Sequence, residues 1–428
     1  MKQKVVALVD CDNFYISCER VFRAAIRNKP VIVLSNNDGC VIARSNEAKR
    51  LNIRMGQPLF QIEKLIRKHN IEVFSSNFSL YADLSSRVMR VLRQFTPHVE
   101  IFSIDEAFLD LTDLPMADLT AYGRELRARV LKLTGIPVSV GIARTKTLCK
   151  IACELVKERP EYYGVCDLTS WSDEELDSIL ANVSVDAVWG IGERYAAVLR
   201  SRGIETAKAL KEADERWIRK RLTVVGERTV LELRGIACNP VETKTRPKKG
   251  IMCSKSFGQT VTTLEHLSEA VATYTARAAE KLRSQGSLAG TITVFIRTNY
   301  GQSMLPQYSN DIVMTLPTAT SFTPELIEQA LRGLKAIYKP GYQYQKAGVY
   351  LSNIVPDSVV QPDLFADFSL LLYYRKLYLM TVIDAINRKW GKDTIFFASQ
   401  GIERVWKMRQ RKLSPRYTTH WTELLSVN

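Results

Sequence analysis

No two cysteines in this chain have Cys-x-x-Cys spacing, although it holds eight: Cys11, Cys18, Cys40, Cys149, Cys153, Cys166, Cys238 and Cys253. The four histidines, His69, His98, His266 and His420, show no metal-ligand spacing among themselves or with cysteine. The spacing argues against a zinc site or a disulfide framework, and the cysteines read as packed thiols of a reducing compartment. No apolar run approaches the length of a membrane span. The run VVALV after Lys4 is too short for the apolar region of a signal peptide. The expectation is a cytoplasmic protein with no membrane association. Internal repeats and low-complexity tracts are missing too. Acidic residues are the scarcer charge, 45 against 60 basic ones, for a net charge of +15. A surplus of that size favours a polyanionic partner.

What the chain does have is length and apolar content. Its 428 residues, 46% of them hydrophobic, are enough for roughly two to four well-cored domains. VVALVDCDNFY (5–15) reads as a buried strand ending in acidic and aromatic residues, and KPVIVLS (29–35) as a second strand. Leu80, Leu84, Val88 and Val91/Leu92 recur at helical spacing over 79–94. VEIFSIDEAFLDLT (99–112) reads as two strands, followed by a helix (118–133), a strand (137–143) and a lysine-bearing helix (145–157). On that last helix, Lys146 and Lys150 are expected to form a solvated face. The segment 188–210 reads as helix, glycine turn, helix, and the polar, basic stretch 236–250 as a linker. Beyond it, strands and helices (265–285, 323–337) alternate in a small α+β pattern. The composition changes again past Pro356, where Trp390, Trp406, Trp421 and Tyr417 stand among many basic residues.

Three carboxylates carry the chemistry. Asp10 ends one buried strand, and Asp105 and Glu106 interrupt another, SIDEAFLDL. A buried carboxylate is costly unless it is paired or holds a cation, and hard divalent cations prefer oxygen ligands. A sharp turn at 104–106 would aim Asp105 and Glu106 at one point, with the end of the Asp10 strand beside it. Such a trio could hold two Mg²⁺ ions about 4 Å apart, the geometry used for phosphoryl transfer. Asp12 and Asp110 read as structural or solvated acids.

Taken together, VDCDNFYISCE, SNNDGCVIARSNEAKRLNIRMG, FSIDEAFLDL and VSVGIARTKTLCKIA resemble the Y-family translesion DNA polymerases over essentially the whole chain. The tail, including KLSPRYTT, is similar to the UmuC type of that family, the catalytic subunits of bacterial DNA polymerase V and their plasmid-borne relatives. The resemblance implies a multidomain α/β and α+β right-hand polymerase. Its parts would be a palm (1–166) with fingers inserted at about 25–70, a thumb (167–235), the linker (236–250), a little finger (243–355) and a C-terminal tail (356–428). It implies Asp10, Asp105, Glu106 and the backbone carbonyl of Cys11 as metal ligands for two Mg²⁺ ions. Tyr15 falls at the steric gate, where an aromatic ring would clash with a ribose 2′-OH, and Phe14 would pack beside it. Lys49 and Lys157 match the family's phosphate contacts. Asn46 stands where other branches carry tyrosine, and Cys40 and Ile42 would lie against the nascent base pair.

GIGERYAAVLRSRGI fits a helix-hairpin-helix. Gly190 and Gly192 permit a tight turn whose backbone N–H groups could meet phosphate at a helix start, with Arg194, Arg200 and Arg202 adding charge. Lys248 and Lys249 in the linker are further DNA-contact candidates. QPDLF resembles the bacterial sliding-clamp peptide through Gln361, Leu364 and Phe365. The implied partners are primer-template DNA, dNTPs, the clamp, a processed UmuD-like dimer and a RecA filament. The implied role is error-prone translesion synthesis in an SOS-type damage response at the nucleoid. The tail from 366 onward is expected to be dispensable for the polymerase fold. The alternatives are a nucleotidyl cyclase with a similar palm and a non-catalytic DNA-binding scaffold. The helix-hairpin-helix and basic linker weigh against the first, and the acids with Tyr15 against the second.

Overall fold

The computed structural model describes residues 3–114, 118–244, 246–301, 304–358 and 369–425. The chain forms two compact units. One comprises Met1–Leu34, Cys40–Thr245 and Lys412–Asn428; the other comprises Ser35–Gly39 and Arg246–Arg411.

The first unit carries strands β1 (Val6–Cys11), β2 (Val31–Leu34), β3 (Val41–Arg44), β4 (Glu72–Ser75), β5 (Val99–Ile101), β6 (Glu106–Asp110), β7 (Val138–Ala143) and β8 (Val165–Asp167). Between them run helices α1 (Phe14–Phe22), α2 (Asn46–Arg50), α3 (Leu59–His69), α4 (Phe78–Leu92), α5 (Leu119–Thr134) and α6 (Lys146–Glu158). The central sheet has the order β5-β6-β1-β7-β8, with β1 antiparallel to both β6 and β7. Strand β1 is apolar from Val6 to Val9 because both of its faces are covered. Ala7, Val9, Ala107 and Leu109 pack with Tyr81, Leu84 and Val88 of α4. Val6, Leu8 and Phe108 pack with Cys149, Ala152 and Cys153 of α6.

Gly141 lets α6 lie close on β7. A Cβ there would stand 2.4 Å from the Cys149 carbonyl oxygen and 2.6 Å from the Cys153 nitrogen, so no larger residue fits without moving the helix. The strand expected over 5–15 stops at Cys11. Asn13 adopts a left-handed φ of 44° and starts α1, so Phe14 and Tyr15 sit in a first helical turn.

Strands β3-β2-β4 form a second sheet with its own small core of Ile32, Leu34, Val41, Ala48, Ile53, Ile62 and Ile71. Helices α7 (Asp173–Leu180), α8 (Glu193–Arg200), α9 (Ala207–Glu212) and α10 (Glu215–Leu233) follow β8. Their apolar residues, among them Leu199, Ile218 and Leu222, join the α6 side of the sheet.

The second unit contains β9 (Ile251–Val261), α11 (Leu264–Ser284), β10 (Ser287–Thr298), β11 (Ser309–Thr320), α12 (Thr323–Ile337) and β12 (Tyr344–Pro356), followed by α13 (Leu370–Trp390). Its antiparallel sheet has the order β11-β10-β12-β9. Leu267, Val271, Tyr274, Ala278 and Leu282 of α11 share its core with Ile292, Val294 and Ile296. The basic residues off that apolar face hold the later chain. Arg283 makes a two-pronged pair with Asp384 of α13 at 2.7 and 2.8 Å, and Arg277 reaches Asp393 at 2.5 Å.

The C-terminal tail does not stand apart from the two units. Trp406 is buried in the core of the second unit and donates its ring N–H to Glu269. Tyr417 is buried in the core of the first. Aromatic side chains in a basic tail gain most by joining an existing core, and their sequence alone does not say which core. Gln361, Leu364 and Phe365 lie outside the described residues. Among the described residues no helix is long and apolar enough to cross a membrane.

Candidate active site

Antiparallel pairing places Asp10 of β1 directly opposite Glu106 of β6. Directly opposed residues share a sheet face, and Val6, Leu8 and Phe108 continue that face toward α6. Helix α6 answers the two acids with lysines spaced seven apart, two turns of helix along one side. Lys150 Nζ lies 3.0 and 2.9 Å from the two oxygens of Glu106, and Lys157 Nζ lies 3.2 Å from Asp10. One turn before Lys150, Lys146 is buried and pairs with Glu100 at 2.6 Å. The lysine face expected to be solvated is therefore turned inward, onto carboxylates contributed by other strands.

Burial, assisted by the neighbouring Glu106 charge, raises the Asp10 pKa to about 7 against the pull of Lys157. Burial also works against the Lys157 charge, but Asp10 and Glu154 outweigh it and hold that ammonium above its ordinary value. The aromatic rings of Phe102 and Trp189 stand 4.8 and 5.7 Å from Lys150 Nζ, which favours the cation where water is partly excluded.

Asp105, just before β6, is held by the hairpin rather than by a lysine of α6. Phe102 and Ser103 both donate their backbone N–H to the Glu106 carbonyl, closing a tight hairpin. Ser103 Oγ donates to the Asp105 carboxylate at 2.5 Å, and the Cys11 N–H donates to the Asp105 carbonyl at 2.9 Å. After burial, the Asp105 charge is the next cause that lifts the Tyr15 hydroxyl pKa. The hairpin is thus closed by its own hydrogen bonds, with Asp105 held by Ser103 while Glu106 is held by Lys150. Among the described residues, no three His, Cys, Asp or Glu side chains gather as a ready-made metal site. The pair that converges is Asp10 with Glu106, a hard-oxygen donor set with two ammonium groups beside it.

A cavity of about 550 Å³ opens on one side of Asp10, lined by Asp12, Asn13, Asn46, Lys49, Arg127, Lys157 and Tyr163 among others. Burial and then the nearby Arg44 and Lys157 charges depress the Lys49 pKa, so its cations crowd one another in a way that an anion would relieve. Asn46 Oδ1 accepts from Asn13 Nδ2 at 3.1 Å. A second cavity of about 510 Å³ meets Asp10 and Glu106 and runs along Lys150 and Glu154 to Asn182, Ser184 and Trp189.

Tyr15 is half-buried and its ring stacks on Tyr81 at 4.5 Å. Phe14 is buried beside it, with ring centres 5.8 Å apart. Ile42 packs against the same core, and Cys40 pairs as an isolated bridge with Pro58. Asp12 accepts from Ser139, and Asp110 is tied to Lys4 and Thr112, so both read as structural acids.

Before α8, Gly190 has φ 89°, and Gly192 caps the helix in an extended conformation with open space around it. Arg194 is exposed, Arg200 is held by Asp186, and Arg202 lies over the Trp217 ring at 4.8 Å. Lys248 and Lys249 are exposed. Sequence reasoning left Lys150 without a role and did not single out Tyr81 or Glu19. For Lys150 a signal existed in its spacing of seven from Lys157.

Comparison with known proteins adds family-level likeness. Residues 9–154 match the impB/mucB/samB family, residues 248–364 its C-terminal domain, and residues 378–427 a domain of unknown function, DUF4113. The chain is 45% identical to Protein UmuC of Salmonella typhimurium, over 98% of this chain and 99% of that protein. It is 43% identical to Protein ImpB of Salmonella typhimurium over 98% of each. It is 29% identical to DNA polymerase IV of Halobacterium salinarum over 83% of this chain and 86% of that one. Among solved structures, a Y-family DNA polymerase chimera, Dbh-Dpo4(243-245)-Dbh, shares its fold with a TM-score of 0.64, covering 82% of this chain and 99% of the chimera at 22% identity.

Proposed function

Because the chain belongs to the impB/mucB/samB family, we propose that it is a DNA-directed DNA polymerase of the Y-family translesion, UmuC type. The observation that carries this reading is the opposed pair Asp10 and Glu106, standing where a cation-lined cavity meets a second cavity. In this reading Lys49, Lys157 and Arg127 receive the triphosphate of a dNTP, and the primer end enters along Lys150 and Trp189.

The donor set fits divalent cations. The Asp10 and Glu106 oxygens converge, Asp10 is half-buried, and lysines hold the place of positive charge. Asp10, Glu106, Asp105 and the Cys11 carbonyl would hold two Mg²⁺ ions, which supply charge neutralisation at the phosphates and acidity at the primer hydroxyl. The residues of the chain do the rest. Asn46 and Lys49 orient the phosphates, and Lys157 moves from Asp10 to the incoming anion. Tyr15 excludes a ribose 2′-OH by its bulk. Cys40, Ile42 and Phe14 border the base pair. Gly190, Gly192, Arg194, Arg200, Arg202, Lys248 and Lys249 hold the duplex by its phosphates, without reading sequence.

The wider setting we propose is error-prone synthesis in an SOS-type response at the nucleoid. A processed UmuD-like dimer and a RecA filament would be partners there, and the sliding clamp would bind through Gln361, Leu364 and Phe365.

Primer extension tests the central reading. Purified protein with Mg²⁺ and dNTPs, alone and with the clamp, dimer and filament, should extend a primer only as its template directs. Cyclic nucleotide product without template dependence would identify a cyclase instead. DNA binding without extension under every one of these conditions would identify a scaffold.

A further inference from the structure

The Tyr15 ring is held by two other aromatic rings. It stacks on Tyr81 with centroids 4.5 Å apart and planes 16° from parallel, and Phe78 closes edge-on against both rings. Tyr81 is fully buried, and its hydroxyl donates to Glu19 Oε1 at 2.8 Å. Glu19 lies one turn after Tyr15 on α1 and is fully buried as well. Its second donor comes from the far end of the chain. Ser414 Oγ donates to the same oxygen at 2.9 Å.

The segment around Ser414 is anchored on every side. Ser75 and Lys412 exchange hydrogen bonds at 2.9 and 3.0 Å. Asn77 caps α4 through its Oδ1 and, through its Nδ2, donates to the Ser414 carbonyl and hydroxyl and to the Pro415 carbonyl. Tyr417 stacks on Phe22 of α1 at 4.5 Å.

Glu19 is an expensive residue to keep there. Its Oε2 is buried with no hydrogen-bond partner, and an unsatisfied buried polar atom costs stability. An apolar residue would pack this site more cheaply, but it could not hold the Tyr81 hydroxyl and Ser414 on one atom.

We propose that Tyr81 is a positioning residue for sugar selection, and that the C-terminal segment sets it through Ser414 and Glu19. The inference rests on Tyr15 being the steric gate. A gate discriminates by where its ring sits, and a shift of a fraction of an ångström changes the clash with a 2′-OH. The Tyr81 ring fixes one face of Tyr15, Glu19 fixes Tyr81, and Ser414 fixes Glu19. Part of the stretch matched by the domain of unknown function thereby acquires a task in substrate choice, without touching the substrate.

The test is the ratio of kcat/KM for dNTP over rNTP in primer extension, measured for the full chain with its accessory proteins. Tyr15→Ala is the control for the gate itself and should collapse the ratio. Tyr81→Phe keeps the ring and removes the hydroxyl, and Ser414→Ala removes the tail's hydrogen bond. Each should lower the ratio by about two- to tenfold, the range set by one aromatic pair, mainly by raising rNTP use while dNTP kcat stays within about twofold. Glu19→Gln retains the shared acceptor oxygen and should stay near the native ratio, whereas Glu19→Leu should match Tyr81→Phe. If Tyr15→Ala collapses the ratio but Tyr81→Phe, Ser414→Ala and Glu19→Leu leave it unchanged, the positioning proposal is overturned and the gate stands. Equal losses for dNTP and rNTP would mean that the network only supports the fold, which also overturns it. An unchanged ratio in Tyr15→Ala overturns the gate, and the proposal with it.

Discussion

Lys150 meets Glu106 through both carboxylate oxygens, at 3.0 and 2.9 Å. The ammonium occupies the charge-balancing role that a divalent cation would take at the same acid.

Lys150→Met should therefore destabilise the protein in chelator. With each side chain 19% exposed, the loss should be about 1–2 kcal/mol, below the cost of breaking a fully buried pair. Millimolar Mg²⁺ should restore much of it by binding the released carboxylates. Thermal melts in EDTA and in Mg²⁺ measure this directly, and a variant that melts like wild type in EDTA refutes the pairing role.

Asp10→Ala and Glu106→Ala should each lower nucleotide insertion by at least about a hundredfold, as removal of transition-state charge stabilisation does. DNA affinity should stay within about twofold. Asp105→Ala is the informative comparison, since its carboxylate is held by Ser103. An equal loss in all three places Asp105 in the reacting site. A small loss for Asp105 alone leaves it as the hairpin's own brace. Single-turnover insertion kinetics distinguish the two outcomes.

Glu19 gives a pH dependence with a defined direction. Burial raises its pKa above the ordinary 4.5, although hydrogen bonds from Tyr81 and Ser414 and the nearby Arg23 charge pull it down. A raised carboxyl pKa stabilises the fold below the unfolded value and loses that contribution as pH rises through the folded value. Glutamine does not titrate. The melting temperature of Glu19→Gln relative to wild type should therefore climb as pH rises from 4.5 toward neutrality. A difference that is flat with pH, or that narrows as pH rises, contradicts the assignment.

Truncation after Arg411 should destabilise the first unit. It uncovers Phe22, removes the buried Tyr417 ring and leaves Asn77, Ser75 and Glu19 without the Ser414 segment. One buried aromatic and several hydrogen bonds amount to about 2–5 kcal/mol. Urea denaturation of full-length and truncated chains should show that loss. Equal midpoints would restore the view of the tail as dispensable.

The sequence showed where the acids lie, but not how they face one another. The apolar run around Asp10 announced a buried strand, the helix over 79–94 was legible from its periodicity, and helices were placed at 118–133, 145–157 and 323–337 as the structure has them. A turn was legible at 104–106, and the structure closes one at 103–105. Which partner each acid meets was not, because Glu106 is held by Lys150 of α6 and Asp105 by Ser103 of the turn itself. Lys150 looked solvated because its partner comes from β6, far away in sequence, and only sheet register and the close approach at Gly141 bring the two together. Trp406 and Tyr417 stood out in a basic tail. Which core each completes depends on pairings such as Asn77 with Ser414, which no local pattern encodes.

The return of residues 412–417 to the first unit also fixes an order of events during synthesis. The ribosome makes Asp10, Tyr15, Tyr81 and Glu106 about 300 residues ahead of Ser414 and Tyr417, an interval of roughly 15–60 s at about 5–20 residues per second. A nascent chain in that interval holds Asp10, Asp105 and Glu106 but lacks the Ser414 contact to Glu19. On the proposed role of Tyr15, insertion and sugar selection would become separable in time, the acids coming first and the seated ring only once residues 412–417 have docked.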